Sequence, residues 1–334
     1  MKKKIVIFGA TGNTGTYVTE YAKRYFNNEE YEIIAVGRKV TDVFEKMGVR
    51  YYSADITKQE DFAKLPTENV YALICLAARI PSYMSNYDGK AYLETNVMGM
   101  YNMLEYARIN KADRVIYTQT VFDISLSVCD GEKIDPYTKR NFSFSGDHAM
   151  YVISKNTAVD LLEHYHQEYG IKKFVFRLPT IYNYSSYQYY FPNGKKTMRP
   201  IYQMINKAIK GEDIECWGNP KYAKDMVYVD DFAQMLCLAV LADRDAGMYN
   251  VGTGIPVTLE EEIKTIIDVF GDKNKSKIIY KPEKKSGGGF LMDIQNAKDE
   301  LGYEPQYDCK KLLETYKKEM SENKYTELRM QTEE

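Results

Sequence analysis

The 334-residue chain has no excess of either charge, no paired cysteines, no long apolar run and no internal repeat, and each absence removes a class of function. Its 45 Lys and Arg nearly cancel its 47 Asp and Glu, so no net field draws in nucleic acid or an anionic membrane. An anionic ligand must then be held by local groups. Cys75, Cys129, Cys216, Cys237 and Cys309 stand far apart, form no C-x-x-C pair and are odd in number, which points to a reducing compartment. No stretch approaches the roughly 18 apolar residues of a membrane span. The basic start, Met1 to Lys4, is followed by Ile5-Val6-Ile7-Phe8, a run too short for an export signal and closed by glycine, so it reads as a first strand. The expectation is a soluble, cytoplasmic protein that binds no nucleic acid, enters no membrane and holds no metal.

What is present is an ordinary globular balance, 44% apolar and 28% charged, on a chain long enough for one large domain or two closely joined ones. Over the first third, short β-branched runs alternate with amphipathic segments, the pattern of helices laid on a parallel sheet. Strands are expected at Lys4–Phe8, Glu32–Val36, Val49–Ala54, Ala72–Leu76, Arg114–Thr118 and Lys173–Arg177. A helix should begin near Asn13, and a second should cover Leu93–Ile109, where Leu93, Val97, Met100, Leu104 and Ala107 recur at helical spacing. A third should run from Ala149 to Tyr169. Beyond Arg177 the regularity fails: residues 182–200 mix aromatics, two prolines and a glycine with charged groups, the composition of a functional loop or lid. Helices near Pro200–Lys210, over Asp230–Leu241 and over Val257–Phe270 follow, with a short strand near Ile214–Trp217. Thr258 is the expected N-cap of the last helix, with Glu261 as its reciprocal partner. The fold class is α/β: a doubly wound parallel sheet over residues 1–181, to which 226–252 return, a smaller α+β unit from 182–225 and 253–325, and a tail at 326–334.

Gly9-Ala10-Thr11-Gly12-Asn13-Thr14-Gly15 lies directly after the first strand and opens a helix. Glycines at those positions permit the tight turn, let the backbone approach a pyrophosphate and allow close helix-to-strand packing, with the helix N-terminus facing the anion. At the end of the second strand, where an adenosine ribose would lie, stands Gly37-Arg38-Lys39 instead of an acid. Arg38 can pair a 2′-phosphate, which favours NADP over NAD; the other reading is a solvent-facing basic pair. Asp55, after the third strand, is placed to accept from an adenine amino group or to cap the next segment.

Tyr151 and Lys155 stand four residues apart, hence on one helix face. A tyrosine is a poor acid or base near its usual pKa of about 10 and needs a positive charge beside its phenolate, which Lys155 supplies. With 31 tyrosines the spacing alone is common, but this pair follows a hydroxyl at the end of the fifth strand, in Tyr117-Thr118-Gln119-Thr120. Thr120, or in second place Thr118, can bond the reacting oxygen while Tyr151 exchanges its proton. His148 is an alternative acid left outside the site, because a single histidine of this kind is more often a satisfied neighbour.

These segments, in order and spacing, resemble the extended short-chain dehydrogenase/reductases, and specifically the NAD-dependent epimerase/dehydratase family. The resemblance runs from Gly9–Gly15 through Leu76-Ala77-Ala78, Thr95-Asn96-Val97 with Gly99 and Asn102, Arg114 to Thr120, Tyr151 to Lys155, and Arg177 to Tyr182. It continues in Lys224 to Asp231, Tyr249 to Gly254 and Leu301 to Pro305. It implies a Rossmann domain carrying NAD or NADP across Gly9–Gly15, Asp55, Ile56, Leu76, Ala77, Ala78, Asn96, Tyr151, Lys155 and Pro179. Thr180, Asn183, Arg199, Trp217 and Lys224 would then face a sugar-nucleotide substrate. By the same resemblance, Tyr151 exchanges a proton with a sugar hydroxyl as hydride passes between the ring carbon and the nicotinamide, and Thr120 orients the oxygen.

Three departures bear on activity. The dehydratases of this branch carry an Asp-Glu pair after the catalytic threonine, where this chain has Val121-Phe122. Lys224 stands where the branch usually has a phosphate-binding arginine, and Thr180 and Asn183 where it commonly has Asn and Gly. The leading expectation is an NAD(P)-dependent sugar-nucleotide epimerase working through a keto intermediate, and the alternative is an NADPH-dependent 4-keto sugar-nucleotide reductase, which Arg38 favours. A non-catalytic dinucleotide-binding regulator is the reading from another class; it needs the glycine turn but not the Tyr151, Lys155 and Thr120 set. The resemblance also implies a homodimer packed through the Leu93–Ile109 and Ala149–Tyr169 helices, with Met98, Tyr101, Tyr165 and Tyr169 as apolar area.

Overall fold

The computed structural model describes residues 1–129, 131–272, 275–285 and 289–329. Its centre is a sheet of seven parallel strands. Five are β1 (Lys3–Phe8), β2 (Tyr31–Gly37), β3 (Arg50–Ser53), β4 (Val70–Cys75) and β5 (Arg114–Thr120). Lys172–Leu178 and Ala246–Asn250 complete it. The spatial order is Ala246–Asn250, Lys172–Leu178, β5, β4, β1, β2, β3, so the strand order reverses between β1 and β4. In such sheets the crevice beyond the carboxyl ends at that reversal is where ligands sit.

The pleat explains why the centres of these strands are apolar on both faces. Ile5 and Ile7 pack against one layer, which includes Val18 and Ala22 of helix α1 (Asn13–Tyr25) and Phe232 and Leu236 of the Val229–Leu241 helix. Val6 and Phe8 point to the other layer, with Leu104 and Ala107 of the Gly99–Ile109 helix and Ala158 and Leu162 of the Ala149–Tyr169 helix. A strand covered on both faces has no polar side to show. Each fully buried Val, Leu, Ile or Phe side chain among these contributes roughly 1.5–3 kcal/mol.

A third cluster gathers Tyr202, Ile205 and Ala208 of the Pro200–Lys210 helix, Ile263 and Ile266 of the Leu259–Phe270 helix, and Leu312, Leu313 and Tyr316 of the Cys309–Ser321 helix. Beside it, Ile214–Trp217 pairs in parallel with Ile278–Lys281. The capping box forms as expected: Thr258 Oγ1 accepts from the Glu261 amide at 3.2 Å and the Thr258 amide donates to Glu261 Oε2 at 2.8 Å.

Some boundaries differ from the expectation. The Leu259–Phe270 helix begins two residues late, because Val257 and Thr258 pair as strand with Lys224 and Ala223. The second helical segment begins early, at Gly89, where Asp88 accepts from the Ala91 amide at 3.1 Å. It then runs through a π-helical stretch, Leu93–Met98, before returning to α geometry. Residues 182–200 are partly ordered: Tyr189–Tyr190 and Thr197–Met198 pair as a short hairpin. Of the expected tail, Thr326–Arg329 forms a helical turn and 330–334 lie outside the described residues. Among the described residues, no helix is long and apolar enough to cross a membrane, and no group of three or more His, Cys, Asp and Glu is arranged to hold a metal.

Candidate active site

The turn after β1 is built so that only glycine fits. Gly9 has φ +84°, and a Cβ there would lie 2.6 Å from the Ala77 amide nitrogen; at Gly15 it would lie 2.1 Å from the Gly9 carbonyl oxygen. Leu76 and Ala77, at the end of β4, therefore touch the turn itself. Helix α1 starts at Asn13 with Gly12 as N-cap, has no acid in its first turn and carries Lys23 and Arg24 in its last. The positive end of its dipole thus opens, unopposed by a carboxylate, beside a backbone stripped of side chains, which fits a diphosphate. Thr11 is buried against Gly37 at the end of β2.

Tyr151, Lys155 and Thr120 converge at the end of β5. The Tyr151 phenol is pushed up to about 12 by burial, an effect that the nearby Thr120 side chain opposes. Lys155 is 3% exposed, and its Nζ stands 4.1 Å from the centre of the Tyr117 ring, which Tyr151 also neighbours. Burial draws its pKa down to about 7. A dehydrated ammonium without an acidic partner gains most from a ligand hydroxyl or a phenolate. The hydroxyl of the alternative, Thr118, donates to the Cys75 carbonyl at 3.3 Å on the neighbouring strand.

Around this group the remaining expected residues fall in different places. The buried amide of Asn96 is turned to protein: Oδ1 accepts from the Arg79 amide at 2.7 Å, and Nδ2 donates to the Arg79 carbonyl at 3.0 Å and to Ser154 Oγ at 2.9 Å. It ties the segment after β4 to the turn that follows Tyr151. Asp55 caps no helix; its Oδ1 accepts from Thr57 in a local turn, at 3.0 Å from the amide and 2.9 Å from Oγ1. Ile56 is buried against Gly99. Arg38 is exposed at the end of β2. Ala78 and Pro179 are half-buried, and Thr180 is exposed just beyond the Lys172–Leu178 strand.

On the expected substrate side, Asn183 is 6% exposed and directed at the glycine helix, its Nδ2 donating to Asn13 Oδ1 at 3.2 Å and to the Tyr184 carbonyl at 2.9 Å. Lys224 is bound to Glu262, Nζ to Oε2 2.8 Å, and sits 5.6 Å from the Tyr182 ring centre. Arg199 lies between the Tyr83 and Tyr190 rings, 5.3 and 5.8 Å from their centres. Trp217 is exposed, its Nε1 donating to Glu215 at 2.6 Å, with Lys284 over its ring. His148 bonds Asp147 at 2.5 Å and packs on Phe122 with ring centres 4.4 Å apart.

Sequence reasoning passed over Gln119, which holds the strand end by accepting from the Thr120 amide and donating to Asn156 Oδ1, both at 2.8 Å. It also passed over Tyr92, whose ring centre is 6.2 Å from that of Tyr151. A polar residue between two candidate threonines was a usable signal for the first; one tyrosine among 31 was none for the second.

A doubly wound sheet with a glycine-lined turn after β1 and a tyrosine, lysine and threonine gathered at the end of β5 is that of an α/β protein of the extended short-chain dehydrogenase/reductase type. The chain belongs to the NAD dependent epimerase/dehydratase family, whose model matches residues 5–252. It is 24% identical to the UDP-glucuronate 4-epimerase of Thermodesulfobacterium geofontis, over 84% of this chain and 81% of that one. Its fold is that of the UDP-glucose 4-epimerase of Thermotoga maritima, solved with UDP-glucose (TM-score 0.74, 21% identity, 96% of this chain and 99% of that one). It is also that of the UDP-glucuronic acid 4-epimerase of Bacillus cereus, solved with UDP-glucuronic acid and NAD (TM-score 0.73, 17% identity, 96% and 99%).

Proposed function

We propose that the protein is a cytoplasmic NAD(P)-dependent epimerase that inverts a sugar nucleotide through a keto intermediate. The observation that supports this most directly is the gathering of Tyr151, Lys155 and Thr120 at the end of β5, on the same edge of the sheet as the glycine turn after β1. Gly9, Thr11, Gly12, Asn13, Thr14 and Gly15, with Leu76 to Ala78, would hold a nicotinamide dinucleotide, and Lys155 its ribose. When bound, that group supplies the hydride acceptor and donor. Tyr151 takes the proton of a sugar hydroxyl and later returns it, Thr120 orients that oxygen, and the Lys155 ammonium stabilises the phenolate. Thr180, Arg199, Trp217 and Lys224 line the substrate side of this reading, with Lys224 first having to share its charge with Glu262.

The absence of a carboxylate at positions 121 and 122 supports a reaction without elimination of water, since buried Val121 and half-exposed Phe122 offer no acid or base. The exposed Arg38 favours a second reading, an NADPH-dependent 4-keto sugar-nucleotide reductase. A homodimer through the Leu93–Ile109 and Ala149–Tyr169 segments is supported by exposed Met98, Tyr101 and Tyr169. Tyr165 drops out of that surface: it is buried, with its hydroxyl on Glu105 at 2.6 Å.

The test is incubation of the purified protein with UDP-glucose, UDP-N-acetylglucosamine and UDP-glucuronic acid, following products by chromatography and the nicotinamide band by absorbance. Conversion to the epimer with no net change in the band is the expected result. Net loss of NADPH on a 4-keto sugar nucleotide selects the reductase, and inertness towards a broad panel selects the regulator.

A further inference from the structure

Arg79 has no task in the scheme above, yet its environment is a specialised one. Its backbone is gripped on both sides by Asn96, at 2.7 and 3.0 Å, and Asn96 in turn holds Ser154 one turn beyond Tyr151. Its Nε is shut off from solvent and has no hydrogen-bond partner, while the residue as a whole is half-buried. Its charge bears on the Tyr92 phenol, and the Tyr92 ring packs on Tyr151. The residues that follow are tied to the 182–200 segment: the Ser82 carbonyl accepts from the Phe191 amide at 3.2 Å, and Arg199 lies over the Tyr83 ring. A guanidinium whose Nε is dehydrated and unpaired is costly unless something arrives to bond it. Five donors in a planar fork suit an oxyanion.

We infer that Arg79 is a specificity-determining residue that bonds an oxyanion of the substrate in the cleft beside Tyr151. This rests on the sugar-nucleotide reading. The oxyanion has two possible sources, a carboxylate on the sugar or the diphosphate of the nucleotide, and both present the same planar or forked acceptor to the guanidinium.

The experiment is calorimetric titration of the protein, as purified with its dinucleotide, with UDP, UDP-glucose and UDP-glucuronic acid, for the wild type, Arg79→Met and Arg79→Lys. If the sugar carboxylate is read, Arg79→Met weakens UDP-glucuronic acid by roughly tenfold to a hundredfold and leaves UDP and UDP-glucose within about twofold. If the diphosphate is read, all three weaken together by a similar factor. In either case Arg79→Lys recovers part of the loss, which a merely structural role would not produce. Affinities for all three ligands unchanged in Arg79→Met, with unaltered dinucleotide content, overturn the assignment alone. A wild type that binds none of the three overturns the sugar-nucleotide reading and this assignment with it.

Discussion

Asp123 and Arg177 form an ion pair inside the molecule, Nε to Oδ1 3.0 Å and Nη2 to Oδ2 3.2 Å, with side chains 2% and 3% exposed. The pair joins the turn that follows Thr120 to the end of the neighbouring strand, and Arg177 Nη1 also donates to the Pro136 carbonyl at 2.8 Å. Removing one partner leaves an uncompensated buried charge. Asp123→Ala is therefore expected to lower the unfolding free energy by about 3–5 kcal/mol in urea titration, while the double replacement Asp123→Leu with Arg177→Met loses less. A single variant as stable as the wild type would show the pair to be dispensable.

Tyr151→Phe keeps the ring against Tyr92 and removes the proton-bearing oxygen. Turnover should fall by roughly a hundredfold to ten-thousandfold, with dinucleotide binding retained in fluorescence titration. Thr120→Ala should cost roughly tenfold in kcat, since it removes one bond to the reacting oxygen. Retained turnover in Tyr151→Phe would remove the tyrosine from the chemistry.

Lys155 links pH to stability in the ligand-free protein. Its folded pKa, near 7, lies below the usual lysine value of 10.5, so between these limits the unfolded chain binds more protons than the folded one. The cost of burying the ammonium is felt in full below pH 7 and fades as pH rises towards 10.5. The stability of Lys155→Met relative to the wild type, from urea unfolding at pH 6 and pH 9, should accordingly be greater at the lower pH. A difference independent of pH would mean that the ammonium is not desolvated.

Arg38→Ala separates the two activities considered. A role in binding a 2′-phosphate predicts a loss of roughly tenfold to a hundredfold in NADP affinity with NAD affinity unchanged. Equal effects on both dinucleotides, or none, would leave the reductase without its supporting residue.

The sheet was legible because burial on both faces demands apolar runs such as Ile5-Val6-Ile7-Phe8, and because α1 must start where glycines cluster. The Ala149–Tyr169 helix could be bounded for a local reason as well, since Gly170 takes φ +70° and ends it. The candidate site was legible as residue types at local spacing, four apart for Tyr151 and Lys155. What escaped was pairing across the chain. Nothing near Asn96 in sequence announces Ser154, nothing near Lys224 announces Glu262, and the inward turn of Asn183 depends on Asn13. Such partners are chosen by how helices and strands dock, and local pattern does not encode that choice.

The placement of Ala246–Asn250 at the sheet margin has a consequence for biosynthesis. As the chain leaves the ribosome, Lys172–Leu178 has one flank on β5 and its other flank unpaired until the whole Ile181–Leu241 excursion has been made. During that interval Phe174, Val175 and Phe176 belong to an open border of the kind that recruits foreign strands. Nascent chains halted before residue 246 should therefore be clients of holding chaperones, and the protein's yield in cells should depend on how promptly the last strand of the seven-stranded sheet is delivered.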